Sequence, residues 1–421
     1  MFLKSYFARI LLGTLVSVSL SVAAPSKKKI PPSSKTEIKK TIEKTDDVKE
    51  SESTTKASTP FIGLPLDIDV LAREAYMIDY DTGAVLLEKD ATKPMHPSSM
   101  TKIMTAYLVI DKIKTGVIKK DSIFTVSKNG WRVEGSTSYL NINDQVKVED
   151  LLKGLIIQSG NDASVILAEN ISGSESAFAS EMTRRAHDMG AKQTNFLNAS
   201  GLPLPEHQTT AKDLAIISEH AIKDQAEFYP IYSEKEYTYG KTTQGNRNPL
   251  LYNNTIGCDG IKTGHTEIAG YGMVASCMQD GRRIILVING LKSKQARADE
   301  ARKLSIWGLH TFTNKTIAIA QQVLGEIPVV YGTLEHVNAV VRNSCIVTVP
   351  KSFENELKTT IELTESIEAP IASGMTLGKV IVTCPAFKES IIFDLIAEKD
   401  VEKAGFIKRI GQKIAAVFKR K

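Results

Sequence analysis

Apolar residues recur at helical spacing in the run that follows HPSSMTKIM, residues 96–104. Five of them lie at i, i+3 and i+4 positions: Met100, Ile103, Met104, Tyr107 and Leu108. Pro97 and Ser98, directly before this run, are typical of the start of a helix. The pattern therefore predicts a helix whose first turn carries Ser99 and Lys102, three residues apart and on the same face.

Two further segments before residue 172 have clear patterns. The stretch AYMIDYDTGAVLL, residues 75–87, predicts a β-hairpin with its turn at Asp81-Thr82-Gly83. Residues 148–171, VEDLLKGLIIQSGNDASVILAENI, predict two helices separated by a break at Ser159-Gly160-Asn161. Glu149 and Asp150 suit the start of the first helix, because acidic side chains interact favourably with that end of the helix dipole.

The pattern changes to that of strands between residues 258 and 291. Three strands are predicted there, antiparallel because short turns join them: GCDGIKTGH, YGMVASCM and RRIILVINGL. A helix is predicted over residues 296–309. Beyond it, residues 313–397 contain short β-rich runs between turn residues and no catalytic cluster, which predicts a separate all-β domain.

The first 59 residues differ in composition from the rest of the chain. Residues 1–23 have an apolar run after Lys4 and Arg9 and end in small residues, which predicts a cleaved secretory signal. An uncleaved N-terminal anchor is the alternative. Residues 24–59 are rich in Lys, Ser, Thr and Glu and predict a disordered spacer, because so few apolar side chains cannot offset the entropy of ordering. The first folded domain is therefore expected over residues 60–312.

The last segment, residues 398–421, combines an apolar stripe with positive charge. Its large apolar residues fall on one helical face: Phe406, Ile407, Ile410, Ile414, Val417 and Phe418. The final part, KAGFIKRIGQKIAAVFKRK, has seven Lys and Arg residues and no acidic residue. An amphipathic helix on an anionic membrane surface is predicted, since the segment is too short and too charged to span the membrane. A helix docked on the β domain is the alternative.

Charge and cysteine content restrict the remaining classes. The formal net charge of +5 is too small and too spread along the chain to indicate nucleic-acid binding. The four cysteines fit an exported protein, and none has the CxxC spacing of a zinc site. If the first two strands of the 258–291 region pair, Cys258 and Cys277 could lie opposite each other, so a bridge between them is a hypothesis.

Ser99 and Lys102 allow two interpretations. On the exposed first turn of a helix, such residues are usually a cap and a solvated charge. A serine hydroxyl becomes a nucleophile when a base lies within hydrogen-bond reach, and a desolvated lysine can be that base. Ser159-Gly160-Asn161 and Lys262-Thr263-Gly264 follow in the order S-x-x-K, S-x-N, K-T-G of penicillin-recognising serine enzymes. The order and placement of the three motifs favour the catalytic interpretation.

The chain resembles the low-molecular-weight penicillin-binding proteins that are D-alanyl-D-alanine carboxypeptidases. The resemblance lies in PSSMTKIMTAYL, LKGLIIQSGNDAS and NRNPLLYNNTIGCDGIKTGHTEIAGYGMVAS, and it covers about residues 61–400. It implies an α/β (α+β) domain of the penicillin-binding transpeptidase and β-lactamase type, with an antiparallel sheet flanked by helices. It also implies a small C-terminal all-β domain that lifts the catalytic domain off the membrane.

The resemblance implies a role for the residues of the first two motifs. Ser99 would attack the carbonyl of the penultimate D-alanine of a peptidoglycan stem peptide and form an acyl-enzyme, which water hydrolyses. Lys102 would take the serine proton. Ser159 would relay a proton to the leaving amine, and Asn161 would hold the substrate amide and Lys102.

The third motif would bind the end of the substrate. Lys262 and Thr263 would bind its terminal carboxylate, and Gly264 would let its backbone lie along the strand edge. The backbone N–H groups of Ser99 and His265 would form the oxyanion hole, so His265 would act through its backbone and not as the general base.

Three further positions follow from the resemblance. Arg247 and Arg297 match family positions near the carboxylate pocket, although either could instead form a structural salt bridge. In NASGL, Ser200 occupies a place where well-known relatives carry histidine, so deacylation or pH dependence could differ.

The implied partners are peptidoglycan stem peptides and, as covalent inhibitors, β-lactams, with no metal or organic cofactor. The implied location is the periplasmic face of the bacterial inner membrane. A serine β-lactamase is disfavoured because no ExxLN segment lies between Asn161 and Lys262. A DD-endopeptidase stays open, whereas a catalytically dead wall-binding protein is disfavoured because all three motifs are intact.

Overall fold

The structure is a computed structural model that describes residues 37–38, 68–253 and 255–410. Its strands are β1 (Glu37–Ile38), β2 (Glu74–Asp79), β3 (Val85–Lys89), β4 (Ile123–Thr125), β5 (Gln145–Lys147), β6 (Glu236–Tyr239), β7 (Thr242–Gly245), β8 (Cys258–Thr266), β9 (Gly270–Gln279), β10 (Arg282–Leu291), β11 (Phe312–Ala318), β12 (Val323–Val330), β13 (His336–Val341), β14 (Cys345–Pro350), β15 (Lys358–Leu363), β16 (Ile367–Glu368), β17 (Thr376–Thr383) and β18 (Ile391–Ala397). Its α-helices are α1 (Lys102–Lys114), α2 (Lys128–Arg132), α3 (Val148–Lys153), α4 (Asn161–Ser172), α5 (Glu175–Met189), α6 (Ala211–Asp224) and α7 (Lys294–Thr311). Tighter 3₁₀ turns span Ser98–Thr101, Tyr229–Ser233, Pro249–Tyr252 and Lys351–Glu356, and one π-helical turn spans Gly154–Gln158.

The predicted signal segment, residues 1–23, lies outside the described residues. So does the predicted spacer, residues 24–59, apart from β1, whose two residues pair in parallel with β15.

Five antiparallel strands form the sheet of the first domain, in the order β3-β2-β10-β9-β8. Helix α6 packs on one face, against β2 and β10, and α7 packs on the other, against β9 and β10. Because both faces are covered, the central strand β10 is an almost continuous apolar run instead of an alternating one. Strand β8, which carries the K-T-G motif, lies at the edge of this sheet.

Helix α1 lies in the core, between the sheet side and a layer of helices that includes α4 and α5. Every residue from Lys102 to Ile110 is buried. A helix that is buried all round has no solvated face, which explains why its sequence is apolar beyond the predicted stripe. The predicted helix start is confirmed, with its first turn, Ser98–Thr101, wound as 3₁₀.

The other predicted elements of this domain are also present. The hairpin is β2 and β3, the break at 159–161 separates the π-helical turn from α4, and the predicted helix over 296–309 is α7. The hypothesis of a bridge in the sheet is confirmed: Cys258 of β8 and Cys277 of β9 are paired residues and form a disulfide.

The second domain begins at Phe312, directly after α7, and is all β, as predicted. Its larger sheet has the order β1-β15-β17-β18-β13-β12-β16, and β11 pairs with β14. Hydrogen bonds join it to the first domain: Thr82 Oγ1 lies 2.6 Å from Thr348 Oγ1, and Asn314 Nδ2 donates to Asp79 Oδ1 at 3.1 Å. The turn of the first hairpin is therefore attached to the β domain.

The C-terminal helix starts later than predicted. Residues 398–405 remain on the β domain, where Val401 pairs with Ile371 and Lys403 with Gly332, so helical backbone begins at 406 instead of 398. Residues 411–421 of the predicted helix lie outside the described residues. In the part of the chain that the structure describes, no helix is long and apolar enough to cross a membrane.

Candidate active site

Ser99 and Lys102 lie at the junction of the 3₁₀ turn and α1. Side chains at i and i+3 eclipse in a 3₁₀ turn, and Lys102 Nζ lies 3.1 Å from Ser99 Oγ. Ser99 is partly exposed, whereas Lys102 is completely buried. The amine therefore lies beneath the hydroxyl, within hydrogen-bond distance and away from water.

Lys102 has two further hydrogen-bond acceptors. Its Nζ donates to Asn161 Oδ1 at 2.7 Å and to the backbone oxygen of Ser200 at 2.5 Å. A neutral amine has two N–H donors and one lone pair. These two acceptors use both donors, which leaves the lone pair for the O–H group of Ser99.

Burial and nearby charges favour this neutral form. The pKa of Lys102 is lowered to about 7, first by burial and then by the positive charge of Arg247. Asp162 and Glu175 act in the opposite direction. Lys102 is therefore uncharged in a large fraction of molecules near neutral pH.

Ser159 closes the π-helical turn and is buried beside the third motif. Its φ of 62° lies in the left-handed region, which costs a residue with a side chain about 1 kcal/mol. Its Oγ accepts a hydrogen bond from Lys262 Nζ at 2.9 Å. Because the oxygen accepts from the lysine, the hydroxyl proton of Ser159 is available for another partner.

Asn161 is the first residue of α4, and its side chain is fixed at both ends. Its Nδ2 donates to the backbone oxygen of Glu134 at 2.6 Å, while its Oδ1 faces Lys102. Its backbone N–H donates to the backbone oxygen of Ser136 at 2.7 Å. The amide is thus oriented with its oxygen toward the candidate base.

Lys262 and Thr263 are buried on the edge strand β8. The pKa of Lys262 is held well below its usual value by burial, and the charges of Lys102, Arg247 and Arg297 act in the same direction. The site thus concentrates positive charge, which suits an anionic ligand.

Gly264 makes a close approach that was not predicted, and its predicted role toward the substrate stays a prediction. A Cβ at this position would lie 3.0 Å from the backbone oxygen of Pro97, 3.1 Å from Ser98 Cβ and 3.2 Å from Met100 Cγ. The missing side chain therefore lets β8 approach the turn that carries the nucleophile, whereas the sequence suggested only that it leaves room for the substrate along the strand.

His265 is exposed, and its ring stacks on that of Tyr271 with 3.8 Å between the ring centres. The imidazole therefore packs against the side chain of Tyr271 on the neighbouring strand, β9. Ser98 Oγ lies 3.1 Å from Thr266 Oγ1, which further joins the nucleophile turn to β8. The oxyanion hole of the Ser99 and His265 N–H groups stays a prediction.

The two arginines lie near the same strand and loop. Arg297 is buried, its NH1 lies 3.5 Å from the backbone oxygen of Gly264, and its pKa is lowered to about 10 by burial and then by Arg247. The exposed Arg247 donates from NH1 to Ser136 Oγ at 2.5 Å. Among the described residues, neither arginine makes an ion pair, which favours the binding interpretation over a structural salt bridge.

Comparison with known proteins identifies the family. A family model described as "D-alanyl-D-alanine carboxypeptidase" matches residues 35–293. The chain belongs to this family. A second model, "Penicillin-binding protein 5, C-terminal domain", matches residues 312–403 of this carboxypeptidase family member. The resemblance drawn from the motifs is confirmed.

Relatives of known name cover most of the chain. It is 37% identical over 347 residues to D-alanyl-D-alanine carboxypeptidase DacA of Haemophilus influenzae, covering 81% of this chain and 88% of that protein. It is 36% identical over 346 residues to DacC of Escherichia coli, covering 80% and 86%. The crystal structure of penicillin-binding protein 5 from Haemophilus influenzae matches 80% of this chain and 100% of that one, with a TM-score of 0.76 and 36% identity. The predicted fold and enzyme class are confirmed.

Several groups of this carboxypeptidase site were not found from the sequence. The backbone oxygens of Ser200 and Glu134 fix Lys102 and Asn161, and a carbonyl leaves no trace in residue type. The glycine of NASGL, Gly201, is a residue that the sequence could have indicated. Its φ is 85°, and a Cβ at this position would lie 1.8 Å from the backbone oxygen of Ser98. No group of His, Cys, Asp and Glu that could hold a metal ion lies within the described ranges.

Proposed function

We propose that this chain is a serine-type D-Ala-D-Ala carboxypeptidase that removes the terminal D-alanine from peptidoglycan stem pentapeptides through an acyl-enzyme on Ser99. Its family supports the reaction. The observation that carries the residue assignment is the 3.1 Å contact from Lys102 Nζ to Ser99 Oγ. The other two hydrogen bonds of this lysine go to Asn161 Oδ1 and to the backbone oxygen of Ser200.

The contacts support the following sequence of steps. Neutral Lys102 takes the proton of Ser99, whose Oγ bonds to the carbonyl carbon of the penultimate D-alanine. The carbonyl–nitrogen bond then breaks, and terminal D-alanine leaves with a proton delivered by Ser159, which takes up in its place the proton that Lys102 accepted from Ser99. Water hydrolyses the ester and restores Ser99. The hydrogen bond from Lys262 to Ser159 supports the relay, because it leaves the Ser159 proton free.

The charges support recognition of a free chain end. Lys262, Arg297 and Arg247 lie near enough to one another to interact electrostatically, and Lys262 and Thr263 are neighbours on β8. A carboxylate can accept hydrogen bonds from all of these groups. A carboxypeptidase needs such a site, because it must distinguish a free terminus from a bond inside a chain.

The test combines two readouts on the full chain. We expect release of D-alanine from diacetyl-Lys-D-Ala-D-Ala, and a long-lived benzylpenicillin adduct on Ser99 in intact-mass spectra. Ser99→Ala should abolish both, whereas Ser98→Ala, which removes the neighbouring hydroxyl, should still form the adduct. An adduct on Ser99→Ala would contradict the nucleophile assignment.

The same samples separate the rival functions. Rapid loss of the adduct without D-alanine release would indicate a β-lactamase. Cleavage of cross-linked stem dimers at a rate above that of the pentapeptide would indicate a DD-endopeptidase. The absence of both adduct and cleavage would mean that the site is inactive.

We also propose that the C-terminal segment lies on an anionic membrane surface. Phe406, Ile407 and Ile410 are exposed at 70%, 87% and 43%, and Lys408 and Arg409 lie between Ile407 and Ile410 in the sequence. Apolar side chains that are not covered by the β domain, flanked by cations, suit a lipid headgroup region.

Co-sedimentation with vesicles tests this anchor. The full chain should bind vesicles that contain anionic phospholipid and should bind neutral vesicles much less. A chain that ends at Gly405 should not sediment, yet should release D-alanine at the full rate, since residues 398–405 keep their pairing with the β domain. Sedimentation of the truncated chain would contradict the proposal.

An exported location, on the periplasmic face of the inner membrane, follows as a proposal. The composition of residues 1–23 and the Cys258–Cys277 disulfide support it, because disulfides persist in oxidising compartments. Cell fractionation, with protease access to intact spheroplasts, should find the protein outside the inner membrane; a protease-protected protein would contradict it.

A further inference from the structure

Asp162 is a buried carboxylate next to the second motif that has no role in the steps above. It lies in the first turn of α4 and is 2% exposed. Its Oδ1 and Oδ2 accept from the Ser138 N–H at 2.9 and 2.8 Å, Oδ2 accepts from Thr137 Oγ1 at 2.7 Å, and Oδ1 accepts from the Ala163 N–H at 2.8 Å. In the described part of the chain, no cation forms an ion pair with it. Its charge is instead stabilised by neutral donors and by the helix N-terminus.

Apart from the N–H of Ala163, the donors to Asp162 belong to the segment 134–138, which we call the wall loop. The wall loop contacts two site residues: Glu134 O and Ser136 O accept from Asn161, and Ser136 Oγ accepts from Arg247. None of its residues lies in a helix or strand. Apart from the backbone hydrogen bond between Asn161 and Ser136, its position depends on side-chain contacts, and among the described residues Asp162 supplies more of these hydrogen bonds than any other side chain.

We propose that Asp162 is a positioning residue for the carboxypeptidase reaction: by holding the wall loop on the first turn of α4, it fixes Asn161 and Arg247 against the nucleophile. The proposal rests on the proposed function and deepens it. Small displacements of positioning groups have large effects, since a shift of about 1 Å can lower a rate about 100-fold.

The charge of Asp162 gives a second, independent readout. It raises the pKa of Lys102, against burial and Arg247, which lower it. The other titratable groups that act on or respond to Lys102 come from α5, β8 and the loop before α6: Glu175, Lys262 and His207. Loss of the Asp162 charge therefore lowers the pKa of Lys102. The acid limb, which is the low-pH part of the pH profile where the acylation rate rises with pH, then moves to lower pH.

Asp162→Asn is the variant that tests both effects. Asparagine has the same shape, but its NH₂ group replaces one of two oxygens that both accept from the N–H of Ser138, so at least one of these hydrogen bonds is lost in either orientation. We expect kcat/KM for D-alanine release to fall about tenfold or more, with a raised KM, and the acid limb of benzylpenicillin acylation to move to lower pH.

Asp213 provides a matched control. It lies in the first turn of α6, is 4% exposed, and accepts from the Gln193 N–H at 2.8 Å and from Thr194 Oγ1 at 2.7 Å. Asp213→Asn removes a similar buried charge from a similar place in another helix. It should lower the melting temperature as Asp162→Asn does, while the acid limb and KM stay as in the wild type.

Two results would overturn the proposal. The first is an Asp162→Asn variant whose kcat/KM and acid limb are those of the wild type. The second is a loss of activity in Asp162→Asn that occurs equally in Asp213→Asn, with no shift of the acid limb in either variant, which would mean a purely structural role. If Asp162→Asn does not fold, Thr137→Val keeps the charge and removes one donor. It should lower kcat/KM with an unmoved acid limb, and an unchanged kcat/KM would overturn the positioning role.

The two readouts keep this proposal separate from the proposed function. If the wild type forms the benzylpenicillin adduct but releases no D-alanine, the proposed function fails. The rate and pH dependence of adduct formation still test Asp162 in that case, because acylation needs the same serine, lysine and wall loop.

Discussion

Lys262 Nζ lies 2.9 Å from Ser159 Oγ, so a second lysine–serine pair stands beside Lys102 and Ser99. Both lysines are buried, and the charge of Lys102 lowers the pKa of Lys262. Two ammonium groups in one buried site repel each other, which favours a state in which one is neutral. In the proposed reaction, the two pairs would divide the proton transfers: Lys102 would serve the attack by Ser99, and Lys262 would hold Ser159 ready to protonate the leaving amine.

The first prediction concerns pH. The pKa of Lys102 is lowered from 10.5 to about 7, so the base is mostly neutral above that pH and mostly protonated below it. The second-order rate constant of benzylpenicillin acylation should therefore rise with pH and level off above about 7, losing about tenfold per unit on the acid side. Rapid-quench mixing followed by intact-mass spectrometry, from about pH 5 to about pH 9, measures this rate constant.

The control for this limb is Lys102→Ala. This variant should acylate slowly and without the limb near neutrality. A wild-type rate that keeps rising up to the usual pKa of a lysine would contradict the neutral-base assignment.

The second prediction concerns the terminal carboxylate. Arg297→Gln removes a charge beside the backbone oxygen of Gly264, so KM for a free-acid peptide should rise about tenfold or more, the effect of losing a hydrogen bond to a charged group. Arg297→Lys should restore part of the affinity. The matched substrate is the C-terminal amide, for which the wild type and Arg297→Gln should have similar kcat/KM. An equal loss on acid and amide would mean that Arg297 acts on the fold and not on the carboxylate.

The sequence predicted the elements that are marked by a regular spacing of apolar residues or by turn residues. The hairpin around Asp81-Thr82-Gly83, the helix after Ser99 and the strand with K-T-G were all found in this way. The start of the C-terminal helix was misplaced because 398–405 carry too few apolar residues to show that Val401 pairs with the β domain.

Most of the candidate site was predicted from motifs of side chains. Ser99, Lys102, Ser159 and Lys262 were found as motifs, and the structure places their atoms in contact in pairs. The carbonyl of Ser200 was not predicted as part of the site, because the position of a backbone acceptor depends on the path of a loop and not on residue type.

The third prediction follows from the close approach of Gly264 to the Ser99 turn. Gly264→Ala would place a Cβ 3.0 Å from the backbone oxygen of Pro97 and force β8 away from the Ser99 turn. Acylation by benzylpenicillin should fall about tenfold, because the nucleophile and the carboxylate site move apart by a few tenths of an ångström, less than the ~1 Å that costs about 100-fold. Gly405→Ala is the control, since no atom lies within 4 Å of its Cβ position. A Gly264→Ala variant with the wild-type acylation rate would show that the strand and turn can separate without cost.

The last prediction concerns the disulfide between β8 and β9. Cys258 and Cys277 close a loop with a sequence separation of 19, and a cross-link of this size restricts the unfolded chain. Replacing both by alanine should lower the free energy of unfolding by about 3 kcal/mol, measured by urea denaturation.

Cys345 and Cys384 are buried free thiols, and burial raises the pKa of Cys345 to about 11, so they should react slowly. Alanine at these two positions should leave the effect of dithiothreitol on the unfolding midpoint intact, whereas alanine at Cys258 and Cys277 should abolish it. A midpoint that reductant shifts equally in both variants would mean that the bridge does not stabilise the fold.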